Sequence, residues 1–156
     1  MATNLAVYLH DHLAGAHMAV EVLELLYKHG QAGEQHQFLA TLLTEVKEDR
    51  DTLVSLTDDV AHGASVVKNS MAWLAAEAIA LKLKAGVNEF GHFEAFEFLV
   101  IGILAKRHLW IALQQISPVD RRVASLDLEK LIQRAEWQYS EVEHQRAAFA
   151  KHVLSV

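Results

Sequence analysis

Glu141 and His144 stand three residues apart in EWQYSEVEHQR (136–146), the spacing with which di-iron helical bundles present a carboxylate and an imidazole to a metal. Three residues is close to one helical turn, so such a pair shares a face, and its use depends on whether that face looks inward. A second set of candidates is more dispersed. His12, Asp49, Arg50, Glu97, His108, Glu136, Glu143 and Arg146 fall on or beside otherwise apolar helix faces. Ionised groups buried in a bundle must pair, ligate a metal or hold a ligand, because burying them alone is costly.

The elements that would position these residues are helices. Apolar residues recur at spacings of three and four almost throughout, and no stretch shows sustained alternation. Breaks are expected at His29-Gly30 to Gly33, at His62-Gly63-Ala64-Ser65, between Gly86 and Gly91, and at Ser117-Pro118. The spacing predicts helices over about 3–29, 34–61, 66–85, 92–116 and 125–154. The long helices form two hairpins, 3–61 and 92–154, and the intervening 64–91 is long enough to run the length of a bundle as a crossover. A single domain over 1–156 is expected, with 92–116 parallel to 34–61.

Turning each helix at about 100° per residue gives its predicted inner face. On the first, Leu5, Leu9, Ala16, Val20, Leu23 and Tyr27 line up with His12 among them. On the second, Leu39, Leu43, Val46, Leu53 and Thr57 surround Arg50, with Asp49 on the flank. Phe93, Val100, Leu104 and Ile111 enclose Glu97, with His108 at the edge. On the last helix Leu128, Ala135, Tyr139, Val142, Phe149 and Val153 include Arg146, with Glu136 and Glu143 alongside. Glu141 and His144 then lie on the water side, as a solvated pair.

In an antiparallel register Glu97 comes level with Arg146 and Glu143, and His12, Asp49 and Arg50 with His108 and Glu136. Interior salt bridges that fix register are the favoured reading, since guanidinium groups compete for the carboxylates a cation would need. No metal or other cofactor is favoured. If a metal binds, His12, Asp49, His108 and Glu136 are its expected ligands, for a single Zn²⁺ or Fe²⁺. A small acidic ligand held by Arg50 and Arg146 is a further alternative.

Composition narrows the function classes. Apolar residues make up 52% of the chain, with one proline and no cysteine, which excludes disulfides and thiolate metal sites. The balance of 14 Lys+Arg against 20 Asp+Glu includes no basic run suited to nucleic acid. There is no basic segment before an apolar run at the start, and FLVIGILA (98–105) is too short to span a bilayer, so a soluble cytoplasmic protein is expected. No glycine-rich phosphate loop, serine elbow or cysteine nucleophile is present. Trp137, on the outer face of its helix, is the expected contact of a homodimer.

DHLAG (11–15), EVKEDRDTL (45–53), FEFLVIGILAKRHLW (96–110) and RAEWQYSEVEHQR (134–146) resemble a group of bacterial proteins of the ferritin-like superfamily. The resemblance covers nearly the whole chain, and its motifs carry no established reaction. It implies an all-α, ferritin-like up-down-down-up four-helix bundle with an additional helix in the long crossover. The superfamily's metal pattern, a Glu on one helix of each pair and Glu-x-x-His on the other, is not matched residue by residue. The first helix offers His12 or His17, Arg50 occupies the interior of the second, Glu97 is retained on the fourth, and Glu141 and His144 face outward. The resemblance therefore implies a bundle without a standard di-iron centre and with a structural or stress-related role. A metal-binding protein or oxidoreductase with an altered His/carboxylate site is the alternative, beside the binder of a small anion.

Overall fold

The computed structural model describes residues 3–30, 32–61, 81 and 88–155. Among these the chain is all-helical, with α1 (Asn4–His29), α2 (Glu34–Ala61), α3 (Glu89–Ile116), the single turn α4 (Arg121–Ala124) and α5 (Leu128–Val153), and no strand. The expected helix over 66–85, apart from Leu81, lies outside the described residues. No helix among the described residues is long and apolar enough to cross a membrane.

Local chemistry sets the ends. Thr3 caps α1 by accepting from Ala6 N at 3.2 Å, and Gly33, at φ +145°, turns the chain into α2. α3 begins three residues earlier than expected because Asn88 accepts from Gly91 N at 2.7 Å, so Gly91 lies inside the first turn rather than in the break. The segment after Pro118 is also more structured than expected. Asp120 caps α4, and Asp127 caps α5 through Lys130 N.

Cross-helix contacts give the directions. Glu24 meets Lys47 at 2.7 Å and Tyr27 stacks on His36, which makes α1 and α2 antiparallel. Glu89 meets His152 at 3.1 Å, Glu97 meets Arg146 at 3.3 Å and Arg107 meets Glu136 at 2.8 Å, so α3 and α5 are antiparallel. α2 runs against α5 as well, through Glu45–Gln138 and Glu48–Arg134. α2 and α3 therefore point the same way, and α1 packs against both.

The buried faces follow a strict alternation of three and four. Leu39, Leu42, Val46, Asp49, Leu53, Leu56 and Val60 line α2, and Leu128, Leu131, Ala135, Gln138 and Val142 line α5. On α3 the row is Phe96, Leu99, Ile103, Lys106, Trp110 and Leu113. This is the heptad-like spacing along which antiparallel helices bury a continuous apolar seam. The faces are turned from those expected by roughly one residue on α2 and α3. Asp49 rather than Arg50 is central, and Lys106 rather than Glu97. Tyr27, expected inside on α1, is 36% exposed.

The core falls into two apolar clusters. One contains Val20, Leu23, Leu42, Val46, Phe96, Ile103 and Val142. The other contains Leu9, Leu53, Leu56, Leu109, Trp110, Leu128 and Ala135. Asp49 lies between the clusters on α2, Lys106 on α3 and Gln138 on α5. A polar layer divides the bundle.

Candidate functional site: a buried ion layer beside an apolar cavity

Each residue of the layer is delivered by a different helix, at a position where the row of three and four calls for an apolar side chain. Asp49 is only 2% exposed. Lys106 Nζ donates to its Oδ2 at 2.5 Å, and Arg134 Nη2 donates to its Oδ1. Gln138, fully buried, accepts from Lys106 Nζ with Oε1 and donates from Nε2 to Glu45 Oε2 at 2.9 Å. Arg134 extends the network to the surface through Glu48 Oε2 at 2.7 Å. The central carboxylate is thus met by two cations, and every helix but α1 contributes a charge among the long four. Burial drives the Lys106 ammonium below its ordinary pKa, Asp49 opposes that shift, and the neighbouring Arg134 adds to it.

Against this layer lies a cavity of about 520 Å³, bounded by α1, α2 and α3. Its walls are mainly apolar, including Val46, Leu53, Phe98, Leu99, Ile103, Leu109 and Trp110. Lys106 and Asp49 line it, together with Arg50, His12 and Asp11. Two glycines at mid-helix positions, Gly15 and Gly102, also face it. Among the described residues no atom lies within 4 Å of where either would carry a Cβ. A helix-interior glycine costs about 0.5–1 kcal/mol relative to alanine, and no packing contact among the described residues requires it here. His12 packs edge-on to Tyr8 at 4.6 Å, and burial lowers its pKa while Asp11 opposes the shift.

The remaining expected residues are placed elsewhere. Arg50 reaches the cavity edge, but its Nε and Nη2 both donate to Oδ1 of the exposed Asp51, at 2.9 and 2.7 Å. Glu97, Glu143 and Arg146 meet at one level, as their register predicted. Arg146 binds Glu143 through two bonds of 2.7 Å, and its bond to Glu97 is 3.3 Å. That group is half-exposed, with the Glu97 side chain 46% accessible, so it is a flank of the bundle and not its interior. Arg146 holds the Glu143 carboxyl below the ordinary carboxylate range. His108 and Glu136 are exposed; Glu136 serves Arg107 instead. Their outward position follows from the one-residue turn of α3 and from the row on α5 being centred on Gln138. His144 is exposed, as expected, and Trp137 is 44% exposed.

The expected metal ligands are therefore not assembled. Among the described residues no three His, Asp or Glu side chains converge on a point that could hold a metal ion. His12 faces the cavity, Asp49 is taken by two cations, and His108 and Glu136 point to water. A di-iron centre needs about four carboxylates and two imidazoles on one pair of cations, and these residues do not fit it.

Lys106, Arg134, Gln138, Glu45 and Glu48 were missed by face assignment from averaged stripes. The signal lay in the row itself: a run such as Phe96, Leu99, Ile103, x, Trp110, Leu113 requires its missing member at 106. Chemically, the site can seat an apolar body in the cavity and meet a polar or anionic end with Arg50, His12 or Lys106. Compared with protein-family models, curated proteins and solved structures, the chain matches none.

Proposed function

We propose that this chain is a ferritin-like helical bundle that binds a small apolar molecule carrying one anionic group, in place of a di-iron centre. The helix directions support the ferritin-like arrangement, since parallel α2 and α3 require a connection that travels the length of the bundle. The observation that carries the ligand reading is the cavity of about 520 Å³ into which Gly15 and Gly102 open. Its size falls in the range of about 300–1,000 Å³ typical of ligand pockets. Two helix-destabilising residues on which none of the described residues packs are accounted for if the space they keep is occupied. Arg50 suits the anionic end, because its present partner Asp51 is exposed and such a surface pair contributes roughly 0–1 kcal/mol.

Calorimetric titration with octanoate and with octanol tests this. Octanoate is expected to bind with Kd below about 1 mM, a free energy of about −4 kcal/mol or better, and more tightly than octanol. Gly102→Leu should abolish binding without unfolding the protein, and Arg50→Gln should remove the preference for the acid. Octanoate binding that is unchanged in Gly102→Leu would place the ligand elsewhere and reject the reading. A metal-binding role is tested alongside by titration with Zn²⁺ or Fe²⁺, where tight uptake would return the altered-site alternative.

A further inference from the structure

Lys106 combines three features that do not need one another for stability. Its side chain is only 15% exposed, it lines an apolar cavity, and its carboxylate partner has a second cation. We infer that Lys106 is a reactive amine, able to condense with an aldehyde or ketone that enters the cavity and so hold a carbonyl ligand as a protonated imine. The inference rests on the cavity reading above and deepens it by naming a ligand class.

The ion layer makes the neutral amine accessible. Asp49 is met by both Lys106 and Arg134. If Lys106 gives up its proton, Arg134 still compensates the buried carboxylate, so no isolated charge is left. Burial and the nearby guanidinium already favour the uncharged amine. A lysine desolvated in an apolar pocket beside another cation is the arrangement that activates amines towards carbonyls. Gln138 Oε1 accepts from Nζ and, with Asp49, fixes the position of the nitrogen beside the cavity that Lys106 lines.

The step balances without an oxidant or reductant. The ammonium gives its proton to solvent water, which leaves the Asp49 carboxylate paired with Arg134. The free amine adds to the carbonyl carbon, an N–H proton moves to the oxygen, and the carbinolamine hydroxyl takes one proton back from solvent and leaves as water. The N–H bonds lost and the C=O bond broken are replaced by C=N and by one water molecule. The protonated imine carries the same positive charge as the ammonium it replaces, so the ion pair with Asp49 survives. An apolar carbonyl compound would fit the cavity, and a highly charged sugar phosphate would not, because the walls beyond the polar edge are Leu, Ile, Phe and Trp.

The test traps the imine in the whole chain. Octanal and sodium cyanoborohydride are added near pH 7, and alkylated lysines are located by peptide mass spectrometry. Lys106 is expected to be alkylated at least about tenfold faster than any other lysine of the chain, since free surface lysines with pKa near 10.4 are almost wholly protonated there. Octanoate should slow labelling at Lys106 alone, and Gly102→Leu should suppress it alone. Labelling spread over surface lysines with Lys106 unmodified, while octanoate still binds, overturns the imine and leaves the cavity reading standing. Lys106 labelling that neither octanoate nor Gly102→Leu affects would overturn the cavity as the route. Neither octanoate binding nor labelling of Lys106 would overturn both.

Discussion

Lys106 Nζ and Asp49 Oδ2 lie 2.5 Å apart, joining α3 to α2 at the level where the two halves of the apolar core separate. Both occupy seam positions that apolar residues fill on either side. The pair is therefore a register device as well as a chemical one, because sliding either helix by a turn would strand a buried charge in an apolar layer.

Asp49→Asn tests that arrangement. The substitution leaves Lys106 and Arg134 facing an uncharged amide, and breaking a buried pair this way typically costs about 3–5 kcal/mol. Chemical denaturation is expected to show a loss of that size. Replacing both members, Asp49→Leu with Lys106→Met, should recover more than half, because the remaining Arg134 keeps Glu48. A loss below about 1 kcal/mol in Asp49→Asn would mean that water reaches the layer.

Arg146→Ala should behave differently, although Arg146 also bridges two helices. Sequence reasoning places Glu97 and Arg146 in the interior, where removal would cost as much as at Asp49. The Glu97 side chain is 46% accessible, so water takes over when the guanidinium goes. The expected loss is at most about 1 kcal/mol. A larger loss would show that the flank is sealed by an element packed over it.

How far the sequence could be read follows from these two groups. The four long helices were legible because apolar residues at three and four are dense and the breaks carry Gly, Ser-Pro or Asp. The level of Glu97 with Arg146 was legible because antiparallel register depends only on helix ends. The centre of each face was not. α3 is apolar nearly all round, with Phe93, Val100, Leu104 and Ile111 competing with the true row of Phe96, Leu99, Ile103, Trp110 and Leu113. A rotation of one residue, about 100°, is enough to exchange Glu97 for Lys106. A lysine was also the less expected core residue, since unpaired it would be excluded, and its partners come from two other helices.

Asp120 gives a pH-dependent prediction outside the site. Its carboxyl is held down at about 2 by the side-chain hydrogen bond from Arg122, with the Arg122 and Val123 backbone N–H groups assisting. A depressed carboxylate contributes stability that is present above its unfolded pKa of about 3.9. That contribution should be lost as pH falls from about 4 to about 2. Carbon-detected NMR titration should show Asp120 among the last carboxylates to protonate, and Arg122→Gln should move it back towards the ordinary range.

His12 should titrate below its ordinary value because burial disfavours the imidazolium, and Asp11→Asn should lower it further by removing the opposing charge. With the folded pKa depressed, the stability His12 contributes is present above the unfolded pKa of about 6.5 and declines as pH falls below it. Proton NMR of the imidazole resonances follows this directly. A His12 that titrates at or above 6.5 would mean that the cavity beside it is open to bulk water.

Gly15→Ala and Gly102→Ala separate the claims of the fold from those of the site. Neither glycine adopts the left-handed backbone that would require it, and among the described residues an added methyl meets no atom within 4 Å. Each change should therefore stabilise the protein by about 0.5–1 kcal/mol, through helix propensity alone. The two are on different helices and should add. If the glycines exist to keep space for a ligand, the same stabilised double variant should bind octanoate more weakly than the wild type, since both methyls enter the cavity. Thermal denaturation gives the first quantity and calorimetry the second. Stabilisation with undiminished binding would leave the glycines unexplained by the cavity, and destabilisation by either methyl would show that backbone or side chains already fill the space.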